Sequence, residues 1–386
     1  MRPLTAVGVI VACALCSGCP HDLRRPARDR AATDREDAGR DLAADRSPDR
    51  PRFDVPLLPD QGCPSPCVTT LAGRCGQGGF ADGAGADARF RYPVELIVAP
   101  SGSLLCADSG NNRIRRISVS DGQVTTVAGV TASDCSDGTV DKASFDGPHG
   151  LAIDGQGGIL VSEHNCNVIR RIAGGNVTTI AGQPYTGGFA DGIGPAARFW
   201  NPEGLLIDGP NGLLVADWAN NRIRRVDLTT HEVTTYAGSG GEHADGSLRT
   251  AGFGDPTALR RGSHGILYVS EEFCLRAIAG SKVTTFAGID DPGSANGPLA
   301  DSRFDWPMAM AFDASGAMLV TDSANNEIRR VDLIGKTVST YAGNIGAGYR
   351  DGPADQALFR DPWGMAIVQG TVYVADHDSN CIRMIR

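Results

Sequence analysis

Short runs of apolar or alternating residues recur from about residue 68 to the end of the chain. The first full set covers residues 94–99, 103–107, 113–118 and 124–128, and Gly-, Asn- and Pro-rich segments separate the runs. Runs of this length, bounded by turn-forming residues, are typical of β-strands. The pattern therefore predicts a domain built almost entirely from short strands.

The runs belong to a repeat of about 54 residues. Each unit contains a Val-Thr-Thr-x-Ala-Gly segment or, in the last copy, its Ser variant. These segments begin at Val68, Val124, Val177, Val233, Val283 and Val338. Four short strands per unit are typical of one blade of a β-propeller, because a lone four-stranded sheet must pack against neighbours on both faces.

The phase of the repeat predicts how the ring closes. The repeats start with a fourth strand, residues 68–73, and end with only three strands, residues 363–386. The N-terminal strand should therefore complete the last blade. We predict an all-β, six-bladed β-propeller closed in this way.

Several segments resemble NHL repeats. Residues 108–116, 217–225 and 322–330 share the pattern Asp-x-x-Asn-Asn-x-Ile-Arg-Arg, and residues 148–154 read Pro-His-Gly-Leu-Ala-Ile-Asp. The resemblance implies an NHL-type propeller over residues 68–386. It leaves the function open, since that family includes both ligand-binding scaffolds and enzymes.

The first 62 residues differ from the repeats. Residues 1–19 combine Arg2 with a short apolar run and end in a segment that resembles a bacterial lipobox, with Cys19 as the lipid acceptor. Residues 20–62 are rich in Arg, Asp, Pro and Ala and predict a disordered charged linker before a propeller at 63–386. We expect an exported protein anchored to a bacterial membrane, with the outer membrane favoured. An ordinary secretory signal, giving a periplasmic or secreted protein, is the alternative.

Composition narrows the classes of partner. The net charge is −9, which argues against a general nucleic-acid binder. No nucleotide loop, Gly-x-Ser-x-Gly or HExxH motif is present in the sequence.

The cysteines predict disulfides, because an exported chain permits them. Of the 11 cysteines, eight remain once Cys13, Cys16 and Cys19 are set aside with the signal. Positions in the repeat favour two pairs, Cys75–Cys381 and Cys135–Cys166. Cys63 and Cys67 flank Pro-Ser-Pro and are expected to form a third, local pair.

Residues repeated in every blade are expected to be structural. An acidic residue ends each second strand, an Arg lies in each third strand, and a Phe precedes each first strand. We expect the Arg and the acid to pair in the interior, and the Phe to pack between blades.

Function is expected where the blades differ. The residue after the Pro that is repeated in every blade opens each innermost strand at the mouth of the channel, and this position varies. The predicted binding residues on this face are Trp200, Trp218, Trp306, Trp363, His149, Glu203 and Met308. Blade four has a polar first strand, residues 257–262, which indicates either a degenerate blade or a side that faces a partner.

These features favour a non-enzymatic binding or scaffold module that recognises a protein, peptide or glycan at the cell envelope, with no cofactor. The alternative is a metal-dependent hydrolase or lyase at the channel mouth, with His149 and Glu203 as catalytic groups. Its ion would be zinc or calcium, with His149, His164 and His377 as candidate ligands. A third hypothesis is that the chain is a purely structural protein of the cell envelope.

Overall fold

Six antiparallel sheets, one for each repeat, surround a central channel. This architecture is seen in a computed structural model that describes Cys63 and residues 65–386. The predicted signal, the lipid acceptor Cys19 and the predicted linker at 20–62 lie outside the described residues. In the described part of the chain, no helix is both long enough and apolar enough to cross a membrane.

Each blade has four main strands, ordered from the channel outward. The first strands are Pro93–Val98, Pro148–Ile153, Pro202–Asp208, Leu259–Arg261, Pro307–Phe312 and Pro362–Val368. The second strands are Leu104–Asp108, Ile159–Glu163, Gly212–Asp217, Leu267–Ser270, Met318–Asp322 and Thr371–Asp376. The third strands are Arg113–Ile117, Val168–Ala173, Arg222–Asp227, Cys274–Ala279, Glu327–Asp332 and Cys381–Ile385. The fourth strands are Val124–Ala128, Asn176–Gly182, Glu232–Ala237, Lys282–Gly288, Thr337–Gly343 and Cys67–Ala72.

The ring closes as the repeat phase predicts. Strand Cys67–Ala72 pairs antiparallel with Cys381–Ile385, with Val68 opposite Ile385. The first strand of the chain is thus the fourth strand of blade six. Because this pairing joins the two ends of the repeat, it confirms six blades from six copies.

Five blades carry a fifth, two-residue strand that the sequence analysis did not predict. The Asp-Gly or Asn-Gly segment before each of these blades pairs with the blade's fourth strand. These short strands are Gly138–Thr139, Gly192–Ile193, Gly246–Ser247, Gly297–Pro298 and Gly352–Pro353. Two residues are too few to show the alternation that marks a strand in sequence.

Short 3₁₀ turns complete the secondary structure. They cover Gly85–Asp87, Ser109–Asn111, Gly194–Ala196, Trp218–Asn220 and Ser263–Gly265. Two of them end on a left-handed asparagine, Asn112 and Asn221. Asparagine tolerates this backbone conformation better than most residues, which explains the Asn pairs in the repeat.

The core lies between adjacent blades. Phe145, for example, is fully buried beside Ala107 and Ile114 of blade one and Val161 of blade two. The equivalent phenylalanine of each blade is also fully buried. The structure therefore places these six rings in the interior, as their repetition suggested.

A buried arginine in each blade bridges two acceptor side chains. In blade one, Nη1 of Arg115 lies 2.5 Å from Oδ2 of Asp108, and its Nη2 lies 2.7 Å from Oδ1 of Asp82. Burial raises the pKa of Asp108 to about 6, although the Arg115 charge opposes this rise. The guanidinium also lies over the Phe90 ring, 5.2 Å from its centroid. The repeated acids and arginines are thus part of the blade.

All three predicted cysteine pairs are joined in the structure. The Cα atoms of Cys75 and Cys381 are 5.1 Å apart, next to the strand that closes the ring. The other disulfides are Cys135–Cys166 and Cys63–Cys67. Among the described residues, Cys106 and Cys274 are buried free thiols.

Candidate functional site at the mouth of the channel

The six residues that follow the repeated prolines line a single small cavity at one end of the channel. They are Val94, His149, Glu203, Thr257, Met308 and Trp363. First strands approach closely here, since the backbone N–H of Gly204 donates to the carbonyl of Thr257 in the next blade at 2.9 Å. The cavity holds about 20 Å³, so it admits one small group at most. We call this end of the channel the mouth.

Glu203 organises the mouth by binding two imidazoles. Its Oε2 lies 2.8 Å from Nδ1 of His149, and its Oε1 lies 2.8 Å from Nδ1 of His164. Burial alone would raise the pKa of Glu203. The charge of His149 and hydrogen bonds from both imidazoles outweigh that effect and hold the pKa well below its usual range. Glu203 is therefore an anionic acceptor for both rings.

This arrangement sets the tautomer of both histidines. An ionised carboxylate only accepts hydrogen bonds, so each Nδ1 must carry the proton. In the neutral rings, Nε2 then keeps its lone pair. A carboxylate that holds an imidazole through Nδ1–H is also the usual arrangement behind a metal-bound histidine.

A row of six rings crosses the mouth. It runs Tyr92, His377, Trp363, His149, His164, Trp218. The closest pair is Trp363 stacked on His377, with centroids 4.5 Å apart, and His149 stacks on His164 at 4.6 Å. The row extends over blades six, one, two and three. One side of the mouth is thus aromatic.

Carboxyl groups occupy blade four. Burial raises the pKa of Asp255 to about 6, with Glu271 and Glu203 adding to the rise. Burial also raises the pKa of Glu272 to about 7, and the Asp255, Asp290 and Asp305 carboxylates add to it. Because these carboxyls repel one another, a positive charge placed among them would be stabilised.

Glu95 adds a further carboxyl to the lining of the mouth cavity. Glu95 stands where the other blades have Gly or Ala, at positions 150, 204, 258, 309 and 364. Burial raises the pKa of Glu95 to about 7, while the charge of Arg260 in blade four lowers it.

The predicted site residues are distributed unevenly. The structure brings His149, His164, Glu203, Trp363 and Trp218 into one cluster. Met308 lines the same cavity. His377 belongs to a neighbouring group, with its Nδ1 2.9 Å from Asp378 and 3.6 Å from Asp361, and the Trp363 ring lies between it and His149.

Two predicted tryptophans lie outside the row. Trp200 is 51% exposed, and Trp306 sits in a left-handed conformation before Pro307. Among the described residues, no ring contact joins either side chain to the row.

Sequence reasoning missed Tyr92, Glu95 and Asp255. Tyr92 and Asp255 each stand directly before the repeated Pro, and all six residues at this position have a positive φ. That position varies in sequence as much as the one after the Pro, and its variation could have identified them. For Glu95, the signal was a large acidic residue at a Gly or Ala position.

Comparison with known proteins finds a family model that matches part of the chain. The model of the NHL repeat matches residues 359–383, which cover the last blade from its buried Phe to its buried Arg. The last blade is thus similar to an NHL repeat. Its other five blades share the strand order, the buried Arg and the buried Phe of the matched one.

Two curated relatives align with more than half of this chain. Protein SUPPRESSOR OF QUENCHING 1, chloroplastic, of Arabidopsis thaliana is 28% identical over 273 residues, 64% of this chain and 26% of that protein. NHL repeat-containing protein 2 of Gallus gallus is 28% identical over 337 residues, 76% of this chain and 46% of that protein. The chain thus spans less than half the length of either relative.

Solved propellers share the fold. An auxiliary nutrient binding protein from Bacteroides ovatus superposes with a TM-score of 0.64, at 14% sequence identity. The match covers 83% of this chain and 76% of that one. At this identity the likeness concerns the fold.

Proposed function

We propose that the NHL propeller is a non-enzymatic ligand-binding module of the cell envelope. In this proposal its site is the mouth, and its ligand is a protein or peptide segment that presents a basic side chain. The Bacteroides ovatus neighbour is an auxiliary nutrient binding protein, which supports a binding role for such a propeller without indicating the ligand.

The observation that carries the proposal is the division of the mouth into an aromatic side and an acidic side. The row of rings includes Trp363 and Trp218, and aromatic faces attract cations. On blade four, Asp255 and Glu272 have raised pKa values because their carboxyls are partly desolvated and are repelled by neighbouring carboxylates. An ammonium or guanidinium group would relieve that repulsion, and the small cavity would admit only the tip of a side chain.

A second feature favours a peptide as the carrier of the charge. The Nε1–H group of Trp363 is buried and has no acceptor among the described residues. A buried donor gains free energy when it finds an acceptor. The carbonyl groups of a peptide backbone would supply one beside the basic side chain.

The test is calorimetric titration of the full chain at pH 7.5 and low salt with tetralysine, tetraglutamate and a neutral oligosaccharide. We expect tetralysine to bind and tetraglutamate not to bind. Asp255→Asn combined with Glu272→Gln should weaken tetralysine binding at least about tenfold. The control is Asp141→Asn, which removes an exposed carboxylate outside the mouth and should leave binding unchanged.

Two outcomes would overturn the proposal. One is equal binding of the lysine and glutamate peptides, which would remove the acidic side as the determinant. The other is binding of the oligosaccharide alone, which would make the module a glycan receptor.

A metal-dependent hydrolase or lyase is the second candidate, favoured by the Glu203-held imidazoles. His149, His164 and Glu203 form a group in which one possible ligand atom of each residue lies within 4.8 Å of the others. Because both Nδ1 atoms bind Glu203, the imidazoles would offer Nε2 to an ion. Catalytic zinc sites use three protein ligands. If Glu203 serves only to orient the imidazoles, the donor set is one ligand short, so we derive no reaction step from it.

Elemental analysis of the purified chain, after dialysis against metal-free buffer, distinguishes the two candidates. About one zinc or calcium per chain, lost in His149→Ala and kept in His231→Ala, would favour the enzyme. If the chain retains no metal, the binding module remains the favoured proposal.

The proposal also includes the location of the module at a bacterial membrane. We infer that Cys19 is lipidated and holds the propeller at a bacterial membrane. Labelling with a radioactive fatty acid should mark the natural chain and not Cys19→Ser. Labelling of both would overturn the anchor.

A further inference from the structure

The lower half of the channel, on the far side of Glu95 from the mouth, contains a second and larger cavity. It is formed by the later residues of the first strands and has a volume of about 390 Å³. Its lining is aliphatic or aromatic except for one residue, Arg260 of blade four. Small-molecule sites have this character, with apolar walls, a few polar groups and volumes of a few hundred Å³.

Arg260 is an exception among the six blades. The equivalent positions carry only apolar residues, which are Ile97, Ala152, Leu206, Ala311 and Ala366. The polar first strand of blade four thus places one guanidinium on an otherwise apolar channel wall.

The guanidinium of Arg260 is held in place through its Nε–H group, and its two Nη groups are available to a ligand. Nε of Arg260 donates to the carbonyl of Met310 at 2.6 Å. Among the described residues, no carboxylate lies within ion-pair distance of Arg260, whereas its neighbour Arg261 pairs with Asp208 at 2.5 Å. The charge of Arg260 lowers the pKa of the channel carboxyl Glu95.

A guanidinium in such a place is suited to one kind of ligand. Its planar donors match the two oxygens of a carboxylate, and the pair is stronger where water is scarce. The apolar walls would bury a hydrocarbon body at the same time. A neutral molecule would use the walls only, and a cation would be repelled.

We propose that this lower cavity is a second binding site, and that it takes a small carboxylate with an apolar body, such as a medium-chain fatty acid, with its carboxylate on Arg260. The site is separate from the mouth and does not depend on the function proposed for it. The orientation follows from the lining, with the hydrocarbon among Ile153, Ile207 and Phe312.

The test compares three ligands with the same apolar body, namely octanoate, octan-1-ol and octylammonium, by calorimetric titration of the full chain at pH 7.5. Octanoate should bind best and octylammonium worst. Arg260→Met should weaken octanoate at least about tenfold and leave octan-1-ol unchanged. Arg261→Met is the matched control, because that arginine lies outside the cavity lining and should leave octanoate binding intact.

A second measurement locates the ligand and does not need a variant. With ¹³C-methyl methionine, octanoate should shift the Met365 methyl signal, since Met365 lines the lower cavity, and leave Met308 at the mouth unshifted. Octylammonium binding as well as octanoate, or a shift at Met308 without one at Met365, would overturn the proposal. So would unchanged octanoate binding in Arg260→Met.

Discussion

The disulfide between Cys75 and Cys381 joins the two ends of the propeller, although 306 residues separate the two cysteines in sequence. Cys75 follows the N-terminal strand, and Cys381 begins the third strand with which that strand pairs. The covalent bond and the strand pairing therefore close the same blade.

Removing this disulfide should lower stability substantially. In the chain-entropy model, cross-linking a loop of this length stabilises the fold by about 4 to 6 kcal/mol. We expect Cys75→Ser combined with Cys381→Ser to show that loss in urea unfolding under oxidising conditions. Cys63→Ser combined with Cys67→Ser is the control, because that loop spans only four residues and should cost about 2 kcal/mol or less. Equal losses in the two pairs would contradict the closure argument.

The buried arginines predict an asymmetry between their two acceptors. In blade three, Nη1 of Arg224 lies 2.8 Å from the buried Asp217, and its Nη2 lies 2.6 Å from the half-exposed Asp191. Asp217→Asn should destabilise the fold by about 3 kcal/mol or more, because it removes the buried counter-charge of Arg224 and leaves only the half-exposed Asp191.

Asp191→Asn should cost less than about 1 kcal/mol. Blade five already has an asparagine at this place, and Nη2 of Arg329 donates to Oδ1 of Asn296 at 2.7 Å. Urea unfolding of the two variants is the measurement. A larger loss for Asp191→Asn than for Asp217→Asn would refute the assignment of the counter-charge.

Glu95 predicts a dependence of stability on pH. Its folded-state pKa is about 7, above the ordinary value of 4.5. Below pH 4.5 the carboxyl is protonated in both states, and as the pH rises through 7 the buried group resists ionisation, so the folded state loses stability. Glu95→Gln should therefore be more stable than the natural chain at pH 8, by about 1 to 3 kcal/mol, and similar to it at pH 4.

Urea midpoints at the two pH values check this prediction. Glu242→Gln, which changes an exposed loop residue, is the control and should follow the natural chain at both. A Glu95→Gln variant that tracks the natural chain would show that the channel carboxyl is well solvated.

Glu203 predicts a stability that changes with pH in the opposite direction from that predicted for Glu95. Because its folded-state pKa lies well below the usual range, its contribution is present above the unfolded-state value and is lost as the pH falls through the folded-state pKa. At pH 8, nitrogen NMR should show both His149 and His164 as Nδ1–H tautomers.

In Glu203→Gln the amide can accept or donate, so the two rings should lose this common tautomer, and stability should fall by about 1 to 3 kcal/mol. The ring of His231, which is remote from Glu203, should keep its signals. Unchanged tautomers at His149 and His164 would contradict the carboxylate's role.

The sequence by itself determined the blades, because the same residues recur at the same places. Six buried rings, such as Phe145, and six buried arginines, such as Arg115, follow from repetition alone. The closing strand followed from the phase of the repeat, and the Cys75–Cys381 pair followed from the closing strand. The two-residue edge strands did not, because their pairing is set by the neighbouring fourth strand.

Only the tertiary structure decided which variable residues meet. His149, Glu203 and Trp363 each stand after a proline, yet nothing in their spacing shows that one carboxylate holds His149 and His164 together or that Trp363 stacks on His377. The same holds for Arg260, whose polar strand was ambiguous in sequence. The physical reason is that closing the ring brings six distant first strands within side-chain reach, and a contact between blades depends on that closure and on no local pattern.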